Sequence, residues 1–254
     1  MSLNKKQLKI FSRQLILNNF NEAKQKILLN SHITFVGLGG VNIPALIYLL
    51  AAGVKNITLI DYDIIEFSNL NRQVIFNEGN IGEKKVLTVK KYIKKNYSNI
   101  NISIYNKKIN ANNCKKFLRK KSLIIDGTDN WDSMLAINDH CVINNIPLLS
   151  ASVIGYDGNF VLFKNKKNIH LCLRCIFPNS EDFNLPRCEN VGILGTTAGI
   201  IGVVSAHKII KYLTEKKTNG IKSVITYFDG QNIEFKDIEI YKNKNCINYK
   251  KWKL

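Results

Sequence analysis

The chain has 254 residues, 45% of them apolar and 22% charged, a composition that excludes a disordered tail or a coiled coil. The formal charge of +18 would suit a nucleic-acid partner, but 32 of the 37 basic residues are lysines spread over the whole chain, so we interpret the charge as a diffuse solvated surface. The longest apolar stretches, 43–54 and 193–206, are shorter than the ~18–20 residues of a membrane-spanning helix, so no membrane span is expected either.

The N-terminal segment is basic and lacks the apolar core of a secretory signal, which indicates a cytoplasmic protein, with a mitochondrial presequence as the alternative interpretation. Leu8, Phe11, Leu15 and Ile16 recur at helical spacing and predict an amphipathic helix at the start of the chain. In a reducing cytoplasm the six cysteines are not expected to form disulfides. Clustered cysteines then indicate metal or sulfur chemistry.

Strands and helices alternate in the pattern from residue 31 to residue 151. The predicted strands cover 31–37, 56–61, 100–105, 122–126 and 147–151, and the predicted helices cover 39–53, 82–96, 112–121 and 130–145. Such alternation requires right-handed crossovers between parallel strands. The fold class predicted is α/β, a Rossmann-like, mostly parallel sheet with helices on both faces.

The pattern changes after residue 152. Segments 158–164, 222–228 and 232–239 resemble strands with turns between them, and they predict antiparallel additions to the same sheet. A long helix is predicted over 193–213, and the loop at 176–190 is long enough to be functional. Because no repeat or linker interrupts the chain, we predict a single domain over 1–254 with two halves, 1–152 and 153–254.

A glycine-rich turn joins the first predicted strand to its helix. Gly37, Gly39 and Gly40 would let backbone amides approach a phosphate or ribose, and Asp61 ends the next strand, where a carboxylate can hold ribose hydroxyls. A dinucleotide fingerprint would have a third glycine at position 42, where Asn42 stands. The pattern by itself fits nucleotide binding of some kind or a plain tight turn.

Two further motifs bring cations and carboxylates to the same region. Arg72 in the segment 68–73 and Lys85 in the segment 82–85 suit a triphosphate better than a nicotinamide dinucleotide, although Lys85 alone is compatible with a surface lysine. Asp126 and Asp129 follow a buried strand, where carboxylates can hold Mg²⁺. Asp129 is also compatible with a helix cap.

These motifs, together with Ser12-Arg13-Gln14, Cys172-Leu173-Arg174-Cys175 and Arg187-Cys188-Glu189, occur in one order over about residues 10–250. The chain resembles the ThiF/MoeB/HesA family, bacterial relatives of ubiquitin-activating enzymes. The resemblance implies an adenylyltransferase that uses ATP and Mg²⁺ on the C-terminal glycine of a ubiquitin-like sulfur-carrier protein. It also implies a homodimer, a nucleotide-binding half at 1–152 and a carrier-binding, cysteine-containing half at 153–254.

The resemblance assigns roles residue by residue. The ATP-binding set it implies is Gly37, Gly39, Gly40, Asp61, Asp63, Asn69, Arg72, Gln73, Lys85 and Asp129. Asp61 would hold the ribose, and Asp129 would support Mg²⁺. Arg13 would reach the partner subunit's ATP as an arginine finger. The catalytic set implied is Arg13, Arg72, Lys85, Asp129 and Cys188.

The role of Cys188 and the completeness of a zinc site each have more than one interpretation. In the thiamine branch of the family a cysteine matching Cys188 takes part in sulfur transfer, whereas in the molybdopterin branch it is dispensable; a small, partly buried side chain is the plain alternative. The family's zinc site has two CxxC pairs, of which Cys172, Cys175 and Cys246 remain here and Tyr249 replaces the fourth ligand. His170 could complete such a site, or the site is weak or lost.

The carrier and its pathway are also open. Segments 152–156 and 228–230 look more like the thiamine branch, while the resemblance leaves thiamine and molybdopterin both possible. The chain ends without a rhodanese-like domain, so we expect a separate protein to supply sulfur. Two other functions share some of the motifs: an NAD-dependent oxidoreductase with the same glycine-rich turn, and a non-catalytic scaffold with a relict ATP site.

Overall fold

The computed structural model describes residues 3–118, 123–165, 171–178, 191–215 and 224–248. The strands are β1 (His32–Val36), β2 (Asn56–Ile60), β3 (Asn101–Tyr105), β4 (Leu123–Asp126), β5 (Leu148–Ile154), β6 (Asp157–Phe163), β7 (Val224–Asp229) and β8 (Glu234–Glu239). The helices are α1 (Lys5–Ile10), α2 (Ser12–Leu15), α3 (Glu22–Asn30), α4 (Asn42–Ala51), α5 (Lys85–Asn96), α6 (Cys114–Phe117), α7 (Trp131–Asn144), α8 (Leu173–Ile176) and α9 (Gly195–Thr214).

One eight-stranded sheet runs through the described residues in the order β3-β2-β1-β4-β5-β6-β7-β8. The first five strands of this order pair in parallel, and β5, β6, β7 and β8 pair antiparallel. The prediction of a mostly parallel α/β sheet with antiparallel additions is therefore confirmed. The division into a nucleotide-binding and a carrier-binding half stays a prediction.

Burial explains why the central strands form. All four residues of β4 are buried, as are four of the five in β1 and in β2. Strands covered on both faces need continuous apolar runs, and these segments supply them. In the described part of the chain, no helix is both long and apolar enough to span a membrane.

The prediction of a single amphipathic helix at the N-terminus is wrong. The segment forms two short helices, α1 and α2, which meet at Phe11. Of the four predicted apolar positions Phe11 is buried, whereas Ile16 is 70% exposed. The next helix, α3, was not predicted, because its polar sequence gives only a weak helical periodicity. The segment before α3 is held by one buried aromatic side chain, that of Phe11, and not by an apolar helix face.

Phe11 packs at the C-terminal end of α4. A Cβ atom on Gly53 would stand 3.0 Å from the Phe11 ring, and the side chains of Gln14 and Gln25 both donate to the carbonyl of Ala52. Gln25 is fully buried. The N-terminal segment is thus fixed to the end of α4 that lies away from the glycine-rich turn.

Helix α9 crosses α4 through a glycine contact. A Cβ atom on Gly202 would lie far inside contact distance of the Val41 carbonyl oxygen, and 3.1 Å from Pro44. Gly199 is on the same helix, one turn earlier, and a Cβ atom there would meet nothing within 4 Å. Only Gly202 is therefore required for the close packing of the two helices.

We expect alanine at these two positions to change stability in opposite directions. Gly202→Ala should lower the free energy of unfolding by about 1–3 kcal/mol, because the added methyl group forces α9 away from α4. Gly199→Ala, the matched control, should raise it by up to ~1 kcal/mol, because alanine favours the helix. Urea unfolding of both variants measures this, and a neutral or stabilising Gly202→Ala would contradict the contact.

Candidate functional site

The candidate site is the sheet edge where the loop after β1 (37–41) meets the loop after β4 (127–130), and we call this place the crevice. Gly37 has φ +81°, a left-handed conformation that glycine adopts without strain. A Cβ atom on Gly37 would stand 2.7 Å from the carbonyl oxygen of Gly127, and the Gly127 N–H donates to the Val36 carbonyl at 3.0 Å. The two loops therefore touch through their backbones. Open α/β sheets bind ligands at such a place, beyond the carboxyl ends of the strands.

Asp61 borders the crevice from the end of β2. Its Oδ2 accepts the Leu38 N–H at 2.6 Å and its Oδ1 accepts the Asp63 N–H at 2.8 Å. Burial raises the pKa of Asp61, and the charge of Lys85 with these two N–H donors opposes that rise. Asp61 lies beside the glycines as predicted, and it also fixes their loop.

Lys85 and Asp63 form the main ion pair at this edge. Lys85 Nζ lies 3.0 Å from Asp63 Oδ2, and the Lys85 backbone N–H donates to the Asp63 carbonyl at 3.1 Å. The Lys85 side chain is only 7% exposed, whereas that of Asp63 is 40% exposed. Lys85 is therefore not a solvated surface lysine. It is a buried cation, held by a carboxylate that water reaches.

Arg72 covers the glycine-rich loop from the side. A Cβ atom on Gly40 would stand 3.1 Å from Arg72 Cγ and 3.1 Å from Ala198 of α9. The guanidinium group of Arg72 donates to the Ser68 carbonyl at 2.6 Å. The structure thus brings Arg72, Gly40 and α9 to one place. Neither the Gly39 N–H nor the Gly40 N–H donates to any residue that the structure describes.

Asn69 and Gln73 lie in the same turn as Arg72 but face inward. Asn69 is 7% exposed and Gln73 is 2% exposed. The Asn69 side chain accepts the Glu66 N–H at 3.3 Å, and among the described residues no donor reaches Gln73 Oε1. Both residues are placed to shape the turn that carries Arg72. Their predicted contact with a nucleotide stays a prediction.

The two carboxylates after β4 have different environments. Asp126 is 1% exposed, and its Oδ1 accepts both the N–H and the hydroxyl of Thr128. Burial raises the pKa of Asp126 to about 6. Asp129 is exposed in the loop after β4, which leaves its oxygens open to a metal ion. The helix cap that could have used it is instead Asn130, whose side chain accepts the Ser133 N–H.

One predicted catalytic residue is not brought to this crevice. Arg13 is exposed in α2, and its neighbour Gln14 donates to Ala52, at the far end of α4. Because α4 starts next to the glycine-rich loop and is about 15 Å long, Arg13 lies at the opposite edge of the sheet from its own chain's crevice. Cys188 lies outside the described residues.

Cys172, Cys175 and Cys246 form a cysteine cluster. Their three sulfur atoms all lie within 4.8 Å of one another, and all three residues are buried. Hydrogen bonds from Cys172 and Cys246 lower the pKa of Cys175, and the same contact with Cys175 raises the pKa of Cys172. Three buried sulfurs at this spacing can hold a metal ion. His170 and Tyr249, the other two positions predicted for this site, lie outside the described residues.

Polar side chains of α7 fix the surroundings of the cysteine cluster. Arg174 donates from Nε and Nη2 to the two oxygens of Asp139, and the Leu173 N–H donates to Asn138 Oδ1. Asn248 is 1% exposed and donates both to Asp139 Oδ1 at 2.8 Å and to Cys172 Sγ at 3.7 Å. The cluster is attached to the middle of α7 through Asn138 and Asp139, about 12 Å along that helix from its first residue.

The polar residues that support these sites are not among the predicted site residues. Asn42 departs from the glycine pattern, and an asparagine in the apolar segment NIPALIYLLA is itself a signal of a buried polar contact. Asn248 and Asp139 carried no signal of this kind. Each is recognisable only once the chain brings residues more than a hundred positions apart together.

The family model described as "ThiF family" matches residues 11–248, so the chain belongs to the ThiF family. A curated relative from Dictyostelium discoideum, "Adenylyltransferase and sulfurtransferase MOCS3", is 30% identical over 248 residues. The match covers 97% of this chain and 58% of the relative. The chain therefore spans little more than half the length of that curated relative.

Two solved structures show the same fold. Escherichia coli MccB with MccA-N7isoASN has a TM-score of 0.80 at 20% identity, covering 96% of this chain and 75% of that one. Escherichia coli MccB with ATP has a TM-score of 0.74 at 21% identity, covering 88% of this chain and 68% of that one. At this level of identity the likeness concerns the fold.

Proposed function

We propose that this chain is an adenylyltransferase that uses ATP to adenylate the C-terminal glycine of a ubiquitin-like sulfur-carrier protein and releases pyrophosphate. The observation that carries the proposal is the meeting of four groups at one crevice: the glycine-rich loop, the buried carboxylate of Asp61, the cations Arg72 and Lys85, and the open carboxylate of Asp129. Membership of the ThiF family and the name of the curated relative support it.

The charges of the crevice suit a triphosphate. The N–H groups of Gly39 and Gly40, which have no acceptor among the described residues, can donate to phosphate oxygens, and Arg72 lies beside Gly40. Lys85 can exchange its ion pair with Asp63 for a phosphate oxygen without leaving its buried position. A dinucleotide oxidoreductase would leave this pair of cations and Asp129 without a role, so the structure favours the adenylyltransferase.

The reaction needs positioning and charge more than acid or base catalysis. The carrier's terminal carboxylate is already ionised at neutral pH and attacks the α-phosphorus in line, while the bond to the bridging oxygen of pyrophosphate breaks. Arg72 and Lys85 would neutralise the charge that develops on the phosphate oxygens. Asp61 would hold the ribose and keep the glycine-rich loop in place through Leu38.

Asp129 is the residue we propose for Mg²⁺. Its carboxylate is exposed at the crevice, next to Asp126, whose Oδ1 is already engaged by Thr128. Oxygen donors of this kind suit Mg²⁺, which Asp129 would hold and which would supply positive charge for the leaving pyrophosphate. Asp126 would instead shape the loop that carries Asp129.

The partners follow from this reaction. We propose a carrier ending in Gly-Gly, a separate sulfur donor protein, and a homodimer in which Arg13 reaches the partner subunit's ATP. The position of Arg13 supports the last point, because it lies too far from its own crevice. The thiamine and molybdopterin pathways, the cytoplasmic location, and a covalent role of Cys188 stay predictions.

ATP–pyrophosphate exchange tests the proposed activity. We expect exchange with Mg²⁺ and a carrier ending in Gly-Gly, and none when the carrier lacks its last glycine. Asp129→Ala should reduce exchange by about a hundredfold or more, because it removes the proposed anchor of the metal. Running thiamine-type and molybdopterin-type carriers in parallel identifies the pathway.

Asp132→Ala is the matched control, because Asp132 is an exposed carboxylate three residues further along the same segment. It should leave exchange within about twofold of wild type, since it lies outside the proposed metal site. Full exchange in Asp129→Ala, or exchange that ignores the carrier's last glycine, would contradict the proposed mechanism.

Mixing two inactive variants tests the shared site. Arg13→Ala and Asp129→Ala chains, each inactive alone, should together recover about a quarter of the exchange activity. Random mixing makes about half of the dimers mixed, and each mixed dimer has one intact site of two. Native mass spectrometry verifies that mixed dimers form. Their formation without recovery of exchange would rule out Arg13 as a finger in trans.

For the cysteine cluster we propose zinc. Three buried sulfurs within 4.8 Å match the softness and size of Zn²⁺, and the N–H of Asn248 at Cys172 Sγ is the kind of outer contact that orients a thiolate ligand. Zinc here would join the segment at α8 to the segment around Cys246. The role is structural, because the cluster lies away from the crevice.

Metal analysis of protein purified without chelator tests this proposal. Wild type should contain about one zinc per chain, and Cys172→Ser should lose it. Cys114→Ser is the control, because Cys114 is buried outside the cluster and its loss should not release metal. Tyr249→Cys should tighten binding by adding a thiolate. Less than about a tenth of an equivalent in wild type, unchanged by Tyr249→Cys, would mean that the three cysteines pack as reduced thiols.

A further inference from the structure

Asn42 stands where a dinucleotide-binding loop has its third glycine, and the structure shows what the asparagine does there. The residue is fully buried at the first position of α4. Its side-chain nitrogen lies 3.0 Å from the Val36 carbonyl oxygen and 2.7 Å from the Gly37 carbonyl oxygen. Because carbonyl oxygens only accept hydrogen bonds, the group that faces them is the amide NH₂, and it donates to both.

These two hydrogen bonds complete a set that fixes the start of the glycine-rich loop. In the peptide unit between Gly37 and Leu38, Asn42 holds the carbonyl and Asp61 holds the N–H at 2.6 Å. In the preceding unit, Asn42 and the Gly127 N–H hold the Val36 carbonyl, and the Gly37 N–H donates to the Ile60 carbonyl at 2.9 Å. Both peptide planes are therefore held at both ends.

The oxygen of the Asn42 side chain shows which half of the amide matters. Asn42 Oδ1 is buried, and among the described residues no donor reaches it. A buried acceptor without a donor is unfavourable. The favourable part of the Asn42 side chain is therefore its NH₂ group, which donates two hydrogen bonds, and not its oxygen.

The room for Asn42 comes from the other side of the crevice. A Cβ atom on Gly127 would have its three nearest neighbours at 2.7, 2.8 and 2.9 Å, and all three are atoms of the Asn42 side chain. Gly127 does not have a positive φ, so its backbone conformation does not require glycine. The absence of a side chain at 127 serves to leave space for the one at 42.

We propose that Asn42 is a positioning residue that holds the glycine-rich loop ready for the phosphates of ATP, and that Gly127 is its obligatory partner. This inference rests on the proposed function, because it assigns the loop to phosphate binding. Glycine is therefore needed at position 127 and not at position 42. Asn42 touches no substrate; it acts through the direction in which the amides of Gly39 and Gly40 point.

Calorimetric titration with ATP tests the positioning role. Asn42→Leu keeps the approximate shape of the side chain and removes both donors, and it should weaken ATP binding by about tenfold or more. The KM for the carrier in the exchange assay should stay within about twofold, because the loop lies outside the half, 153–254, that is predicted to bind the carrier. A merely structural role would lower the melting temperature and leave the affinity of the folded protein for ATP unchanged.

A double-mutant cycle tests the pairing of Asn42 with Gly127. Gly127→Ala should weaken ATP binding by about tenfold in the wild-type background and by less than about twofold in the Asn42→Gly background, where the added methyl group has room. An equal cost of Gly127→Ala in both backgrounds would overturn the pairing. Because this cycle does not use Asn42→Leu, it decides the question even if that variant fails to fold.

The outcomes separate the two proposals. Wild-type protein that binds ATP, with an Asn42→Leu variant that binds it equally well, overturns the positioning role and leaves the adenylyltransferase intact. Wild-type protein that does not bind ATP overturns the proposed function, and the phosphate-positioning role with it. Weakened ATP binding with an unchanged carrier KM, together with the expected coupling to Gly127, supports the inference.

Discussion

The backbone contact between the loops after β1 and β4 is the constraint on which the crevice depends. Gly37 turns with a positive φ, and its α-carbon faces the Gly127 carbonyl so closely that no side chain fits between them. This contact draws the ends of two neighbouring parallel strands together. It also places the N–H of Leu38 within reach of Asp61. The glycine-rich loop, the ribose-side carboxylate and the acidic loop after β4 therefore form one surface.

The direction of the strands supplies the other groups. Because β1, β2 and β4 are parallel, the residues that follow them emerge at one edge of the sheet, however far apart they are in the sequence. Helix α9 then crosses α4 at Gly202 and reaches the same edge, where Ala198 packs beside Gly40 and Arg72. A helix from the second half of the chain thus closes a site built by the first.

Electrostatics in this crevice depend on burial. Removing a lysine from water is unfavourable unless a partner compensates, and Asp63 does so for Lys85 at 3.0 Å. Burial also raises the pKa values of Asp61 and Asp126, against which their hydrogen bonds with backbone N–H groups act. The same exclusion of water strengthens the interaction of fixed cations with a bound anion. The cysteine cluster and the N-terminal segment lie away from the charged groups of the crevice. The cluster lies beside α7, and the N-terminal segment lies at the end of α4.

The sequence by itself determined the sheet, the order of its motifs and the family, because periodicity, glycine spacing and charged residues after apolar runs are local patterns. It placed Asp61 and Asp129 after strands, and in the structure they follow β2 and β4, which both pair in parallel with β1. Tertiary structure alone decided that Phe11 anchors the N-terminal segment and that Arg13 lies far from its own crevice. It also decided that Asn42 fits because Gly127 has no side chain. These outcomes depend on contacts between residues distant in the chain, and no local pattern encodes which distant residue will supply the space or the hydrogen bond.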